Sequence, residues 1–435
     1  MLLTSAGFSR TDATPEWPVE MAGYPPIRTR SGGPQEHAVY KGRDGLSTGT
    51  HLPVYVRSMV LGSDSDVVAI VALDICTVSI ELTDAVRSRL QSATGNDWSS
   101  LFLSASHTHS GPDVCGLSSA PDLRTFEFFV ERITRSVLDA KKARHECVVT
   151  WSRQPVNGLT VNRRHPERSV NSEITQIVFT DTQTNAVRGV IQSFACHPII
   201  AGAHNTMLFG DYPGVLSLEL EKHLDEQAVC LFLQGPCGDV NPIAYPYEEK
   251  TNIAIKAPSG SDAALKIRTV VEAERFGRIL AGIAIEMLKG AGVSESGTVR
   301  GAKCVVSLKR RSAEDLDDYL FQRDHDPARV EKWLKKEYVD SELGAVMLGN
   351  LVIVFLPGEP LTAVADEIRG SIENSGRQAL VVGYSNDYPG YVVHPNEYKE
   401  VRYENAATVL DSDGVARLMQ EAVTIASTEW NAIAT

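Results

Sequence analysis

The chain has 435 residues, 43% hydrophobic and 22% charged, with a formal net charge of −13. That size and apolar content suit one large globular domain or two. The acidic balance argues against the basic patches that nucleic acid or anionic membranes require, so no nucleic-acid partner is expected; it says little about a small-molecule substrate, since a local site can differ from the global charge.

The opening MLLTSAGFSRTDATPEW lacks the basic start and apolar core of a signal peptide. The strongest apolar run, 67–78, is broken at Asp74, so no integral membrane association is expected. Residues 53–62 and 66–74 read as paired strands, and 80–91 as a helix. A short strand at 101–103 precedes a helix at 122–144, whose Phe126, Phe129, Val130, Ile133 and Val137 keep helical spacing. Strands follow at 147–152, 173–181 and 187–195, a helix at 212–224, a buried strand at 228–234 and a long helix at 268–289. Strands at 351–356 and 380–383 bracket a helix at 361–374, and a last helix covers 414–430. Residues 244–267, rich in Pro, Ser, Gly and Lys, read as a loop, and 310–338 as a charged helical insertion. The pattern predicts an α/β chain with a mixed β-sheet core flanked by helices. The seven cysteines have no CxxC spacing and several lie inside apolar runs, which suits reduced thiols in a cytoplasmic protein.

The segment LFLSASHTHSGP places His107 and His109 at the end of an apolar run. On an extended chain, residues two apart point the same way, so both imidazoles can face one point. Imidazole is the common zinc ligand at neutral pH and the usual proton carrier. Four other apolar runs end the same way. They deliver His197, then Gln234, Asp239 and Asn241, then Glu359, and finally Asn386, Asp387, Tyr388 and Tyr391. Strand ends are where sites assemble in open α/β sheets. Read singly, each has a plainer explanation. His197 before Pro198 can be a core histidine, Glu359 beside Pro360 a first-turn helix acid, and Asp239 after Gly238 a turn residue.

Taken in order, these motifs resemble the catalytic domain of the neutral/alkaline non-lysosomal ceramidases, zinc-dependent amidases. The resemblance runs through GFSRTD at 7–12, MAGY at 21–24, SHTHSGP at 106–112, Asn162-Arg163, FACH at 194–197 and Gly210-Asp211. It continues in Gly238-Asp239-Val240, Pro357-Gly358-Glu359 and the tyrosine-bearing segment from Ser385 to Glu404. It spans nearly the whole chain and implies a single catalytic domain over 1–435, a short homologue without the β-sandwich that follows in the family.

The resemblance implies one Zn2+ per chain on His107, His197, Glu359 and Tyr391, with Tyr388 a nearby competitor for the tyrosine role. It implies catalytic contacts from His109, Arg163 and Tyr403, and places Asp239 and Asn241 at the catalytic turn. In the family a serine follows that G-D-V, whereas Asn241 stands here. An asparagine cannot serve as a hydroxyl nucleophile, whereas metal-activated water needs none. The expected function is therefore a zinc-dependent hydrolase cleaving an amide, ester or lactone of a small soluble substrate. Two other readings are a TIM-barrel metal amidohydrolase and a non-catalytic ligand-binding protein on a hydrolase scaffold. Oligomeric state is open, and a homo-oligomer is compatible with the sequence.

Overall fold

The structure is a computed structural model that describes residues 2–24, 43, 45–63, 67–118, 121–170, 172–225, 227–243, 269–290, 292–295, 298–312, 331, 333–400 and 402–428. The loop expected at 244–267 and most of the charged helical insertion expected at 310–338 lie outside the described residues.

Eight strands build the main sheet: β1 (Leu3–Asp12), β2 (Tyr55–Gly62), β3 (Val67–Leu73), β4 (Leu101–Ala105), β5 (His145–Pro155), β6 (Glu173–Asp181), β7 (Val187–Phe194) and β8 (Val229–Gln234). Their order is β8-β7-β6-β5-β1-β2-β3-β4, and the two-residue strand Val293–Ser294 joins β5 as a ninth. The β3–β4 and β7–β8 pairs are parallel, and the other neighbours antiparallel. A second sheet aligns β9 (Val299–Lys309), β10 (Tyr338–Leu348), β11 (Leu351–Phe355) and β12 (Gln378–Val382), with only β11–β12 parallel.

Strand periodicity explains how the two sheets stack. Every residue of β3 is buried. Val67, Ala69, Val71 and Leu73 pack with helices α1 (Ile80–Thr94) and α2 (Leu123–Lys142). Val68, Ile70 and Ala72 face the second sheet, among Val346, Leu348, Ile353 and Val382. A strand covered on both faces reads as a continuous apolar run, which is why β3, β8 and β11 are plain in the sequence. Helices α3 (Asp211–His223) and α4 (Val270–Leu288) cover the β7–β8 end of the main sheet. Helices α5 (Thr362–Asn374) and α6 (Ser412–Ser427) cover the outside of the second sheet. The result is four layers: helices, sheet, sheet, helices.

Phe102 and Phe355 stack across the inter-sheet core, with ring centroids 4.7 Å apart. Gly344 leaves room for this stack, because a Cβ there would sit 2.1 Å from the Phe102 ring. The mixed α/β class is as expected. The TIM-barrel alternative fails, since both sheets mix antiparallel with parallel neighbours where that barrel is wholly parallel. Of the twelve strands labelled β1 to β12, three, β1, β9 and β10, have no counterpart among the expected elements.

Candidate metal centre

The chain segments that follow β4, β7, β8, β11 and β12 converge at one place. β4 ends at Ala105, and His107 adopts a left-handed backbone with φ +64°. The extended HxH geometry expected from the sequence is therefore not what brings the imidazoles together. The kink at His107 does so, and His107 and His109 meet Nε2 to Nε2 at 3.2 Å. Such a conformation is costly for a non-glycine residue and persists only where surroundings hold it. Tyr384 stacks on the His107 ring at 4.2 Å, and the His107 Nδ1 reaches the Cys76 carbonyl at 2.8 Å. The Cys76 thiol also lies 3.5 Å from that Nδ1. Asn386 ties the loop after β12 to β4: its side chain accepts from Leu103 N at 2.7 Å and donates to the buried Glu342.

His197, delivered by β7, repeats the pattern. Its Nδ1 lies 2.6 Å from the Cys237 carbonyl, and its Nε2 lies 3.2 Å from the His107 Nε2. A carbonyl only accepts, so each Nδ1 carries the proton and each Nε2 presents a lone pair. Glu359 completes the group, with Oε2 3.4 Å from His107 Nε2 and 3.3 Å from His197 Nε2. All three residues are buried.

Two facing lone pairs and a carboxylate cannot satisfy one another by hydrogen bonding. A tetrahedral metal with bonds of about 2.0–2.1 Å separates its ligand atoms by about 3.3 Å, close to the spacing found here. The carbonyls on Nδ1 are the outer partners that metal-bound histidines use. These residues fit a divalent metal ion.

Electrostatics agree. Burial pushes the His197 imidazole down to about 4, with the Arg163 cation acting in the same direction, so it stays neutral. Burial and the neighbouring imidazoles hold His109 well below the ordinary histidine value.

Both tyrosines left open by the sequence are present. The Tyr388 hydroxyl donates to Glu359 Oε1. Tyr391 pairs with Glu359 in a two-residue parallel ladder, so the two side chains leave the same side. Its hydroxyl accepts from Arg163 Nη2 at 3.0 Å. Arg163 also donates through Nε to Glu404 at 2.8 Å, and the Tyr403 ring meets Tyr391 edge-on at 5.7 Å.

Asp239 is a fastening residue. Its carboxylate accepts from Asn162 Nδ2 at 2.6 Å and from both Thr362 N and Oγ1 at 2.8 Å. Its carbonyl receives Arg163 N at 2.7 Å, and the next carbonyl, Val240, receives His197 N at 2.9 Å. One turn thus registers the segments bearing Arg163, His197 and Glu359. Asn241 lies in this turn's strand, paired with Val161, and its Oδ1 is buried without a hydrogen-bond partner among the described residues.

A family profile described as "Neutral/alkaline non-lysosomal ceramidase, N-terminal" matches residues 38–253. Neutral ceramidase of Mycobacterium tuberculosis is 24% identical over 473 residues, covering 89% of this chain and 73% of that protein. Neutral ceramidase of Drosophila melanogaster is 21% identical, over 84% of this chain and 68% of that one. The crystal structure of the Pseudomonas aeruginosa neutral ceramidase superposes with a TM-score of 0.74 at 18% identity, covering 100% of this chain and 77% of that chain. The chain belongs to the neutral/alkaline ceramidase family.

Within this family fold, the His107, His197 and Glu359 group and the Arg163, Tyr391 and Tyr403 group are the residues the motifs single out. The motifs did not assign roles to Tyr384, Glu404, Arg164 or the carbonyls of Cys76 and Cys237. A carbonyl contact carries no side-chain signature, so nothing in the residue types could have revealed the last two. Among the described residues, no helix is long and apolar enough to cross a membrane, and the seven cysteines are thiols rather than disulfides.

Proposed function

We propose that this chain is a zinc-dependent amidase that cleaves an N-acyl amide, of ceramide type or smaller and more soluble, with ester or lactone cleavage within its reach. The observation that carries the reading is the trio His107, His197 and Glu359. Their donor atoms stand 3.2–3.4 Å apart, with both histidine protons committed to carbonyls.

A single Zn2+ on this trio, with Tyr391 as fourth protein ligand, would lower the pKa of water toward 7 and polarise the scissile carbonyl. The chain's own residues do the rest. His109, neutral and half-buried, exchanges a proton at Nε2 with the attacking water and passes it to the leaving nitrogen. Arg163, clamped by Glu404 and Tyr391, supplies the cation for the developing oxyanion, and Tyr403 adds a hydroxyl donor. Asn241 orients the substrate through its amide, whose buried oxygen is an acceptor for a substrate N–H or O–H. With no hydroxyl at position 241, water attacks directly and no acyl-enzyme forms. Tyr388 and Asp239 hold Glu359 and the catalytic turn in register. Seven thiols support a reducing, cytoplasmic setting.

The test is elemental analysis of purified protein, followed by hydrolysis assays on N-acyl amides of graded chain length, esters and lactones. One bound zinc with no hydrolysis across the panel would favour the non-catalytic ligand-binding reading, which Asn241 motivates. Protein that binds no metal after zinc reconstitution would overturn the proposal.

A further inference from the structure

Glu404 is buried in the short helical turn Tyr403–Ala406, and its carboxylate is shared between two arginines. Oε1 accepts from Arg163 Nε at 2.8 Å and Oε2 from Arg164 Nη1 at 2.9 Å. The two arginines differ in what else they hold. Arg164 is also paired with Glu397 at 3.4 Å and Glu400 at 3.1 Å. Neutralising Arg164 therefore does not require Glu404. For Arg163, Glu404 is the one carboxylate ion-pair partner among the described residues. A guanidinium is a rigid planar fork, so fixing Nε fixes the direction of both Nη groups. One of those, Nη2, meets the Tyr391 hydroxyl at 3.0 Å. The turn that carries Glu404 also carries Tyr403, and Ala407 links the two tyrosines: its N–H donates to the Tyr403 carbonyl and its own carbonyl accepts from Tyr391 N.

We propose that Glu404 is a positioning residue of the hydrolytic site. It sets the Arg163 guanidinium, through it the Tyr391 hydroxyl, and holds both at fixed distance from Tyr403. At the nearby His165, Glu397 and Glu400, the Arg164 and Arg168 guanidiniums already supply cations to the carboxylates. The catalytic consequence rests on the amidase reading, and the geometric claim does not.

Two readouts separate these. The first needs no substrate. In arginine-labelled protein, the Nε–H resonance of Arg163, assigned by its loss in Arg163→Lys, should be sharp in the native protein. It should broaden or vanish in Glu404→Gln while the bound metal stays unchanged. The second is kinetic. Glu404→Gln and Arg163→Lys should each lower kcat about 10- to 100-fold, as misplacement of a positioned group does. KM should stay within about twofold, and the double variant should be no slower than the slower single variant. An unaltered Arg163 resonance in Glu404→Gln, or losses that multiply in the double variant, overturns the proposal. Should Glu404→Gln fail to fold, Glu404→Asp, one methylene shorter, decides by the same resonance: broadened supports, sharp overturns. If the native enzyme hydrolyses nothing, the function fails while the resonance still tests the geometry.

Discussion

His107 and His197 face each other Nε2 to Nε2 across 3.2 Å, each with its other ring nitrogen held by a cysteine carbonyl. Neither can donate to the other, so the contact makes chemical sense as two ligands on one cation. Metal content should therefore depend on both residues. His107→Ala and His197→Ala should each lose bound metal in elemental analysis, along with activity. Retention of full metal and activity in both would remove the basis of the site.

The two tyrosines beside Glu359 should behave differently. The Tyr388 hydroxyl reaches the Glu359 carboxylate, so Tyr388→Phe should weaken metal affinity by about 10- to 100-fold, as loss of an outer-shell partner does. Tyr391→Phe should weaken it further. Chelator competition on both variants ranks them, and the reverse order would assign the ligand role to Tyr388.

Asn241→Ser should stay active, and Asn241→Ala should raise KM about 2- to 10-fold, the worth of one hydrogen bond, with little change in kcat. Hydroxylamine trapping with mass spectrometry during turnover should find no acyl adduct. An adduct on any serine, threonine or cysteine would replace direct water attack by a covalent route.

Asp239 was expected among the catalytic residues, and its contacts are those of a fastener. Asp239→Asn sets an amide N–H against donors from Asn162 and Thr362. It should cost about 1–3 kcal/mol of stability in denaturant unfolding, and Thr362→Val should cost less. A variant as stable as the native protein would show that the turn is held by other contacts.

The pH dependence of stability follows from Glu404. Burial acts to raise this carboxyl, but the Arg163 and Arg164 cations prevail and lower it. A carboxyl whose folded pKa is depressed contributes stability that is fully present above the unfolded glutamate value of about 4.3, and loses it as pH falls through the folded value. Unfolding free energy should therefore decline on acidification below about pH 4–5, with a shallower slope in Glu404→Gln. Equal slopes in the two proteins would show that the pair contributes no proton linkage.

Much of the fold was legible wherever burial leaves a mark on residue type. The β3 run VVAIVAL is apolar because helices cover one face and a sheet the other. The strands that went unread have mixed composition. In β10 (YVDSELGAVML), Asp340 is exposed, whereas the Glu342 carboxylate is buried because Arg87 and Lys303 reach it from distant elements. The site was legible as a set of strand ends and, through family motifs, as ligand types. The kink at His107 was not, since a left-handed histidine is imposed by its neighbours rather than by its own preference. The stacking of one sheet on the other was equally invisible, because alternation shows that a face is covered and not by what.

That stacking makes the centre a rivet. His107 and His197 hang from one sheet, Glu359 and the tyrosines from the other. A ligand that binds only the assembled state stabilises it by mass action. With the proposed metal bound, loading would therefore pin the two sheets together, and stripping the ion would release them. A chain whose halves have not docked carries two separate, inert fragments of a centre. On the proposed function, reactivity would arise only on completion, and a half-folded copy would be inert.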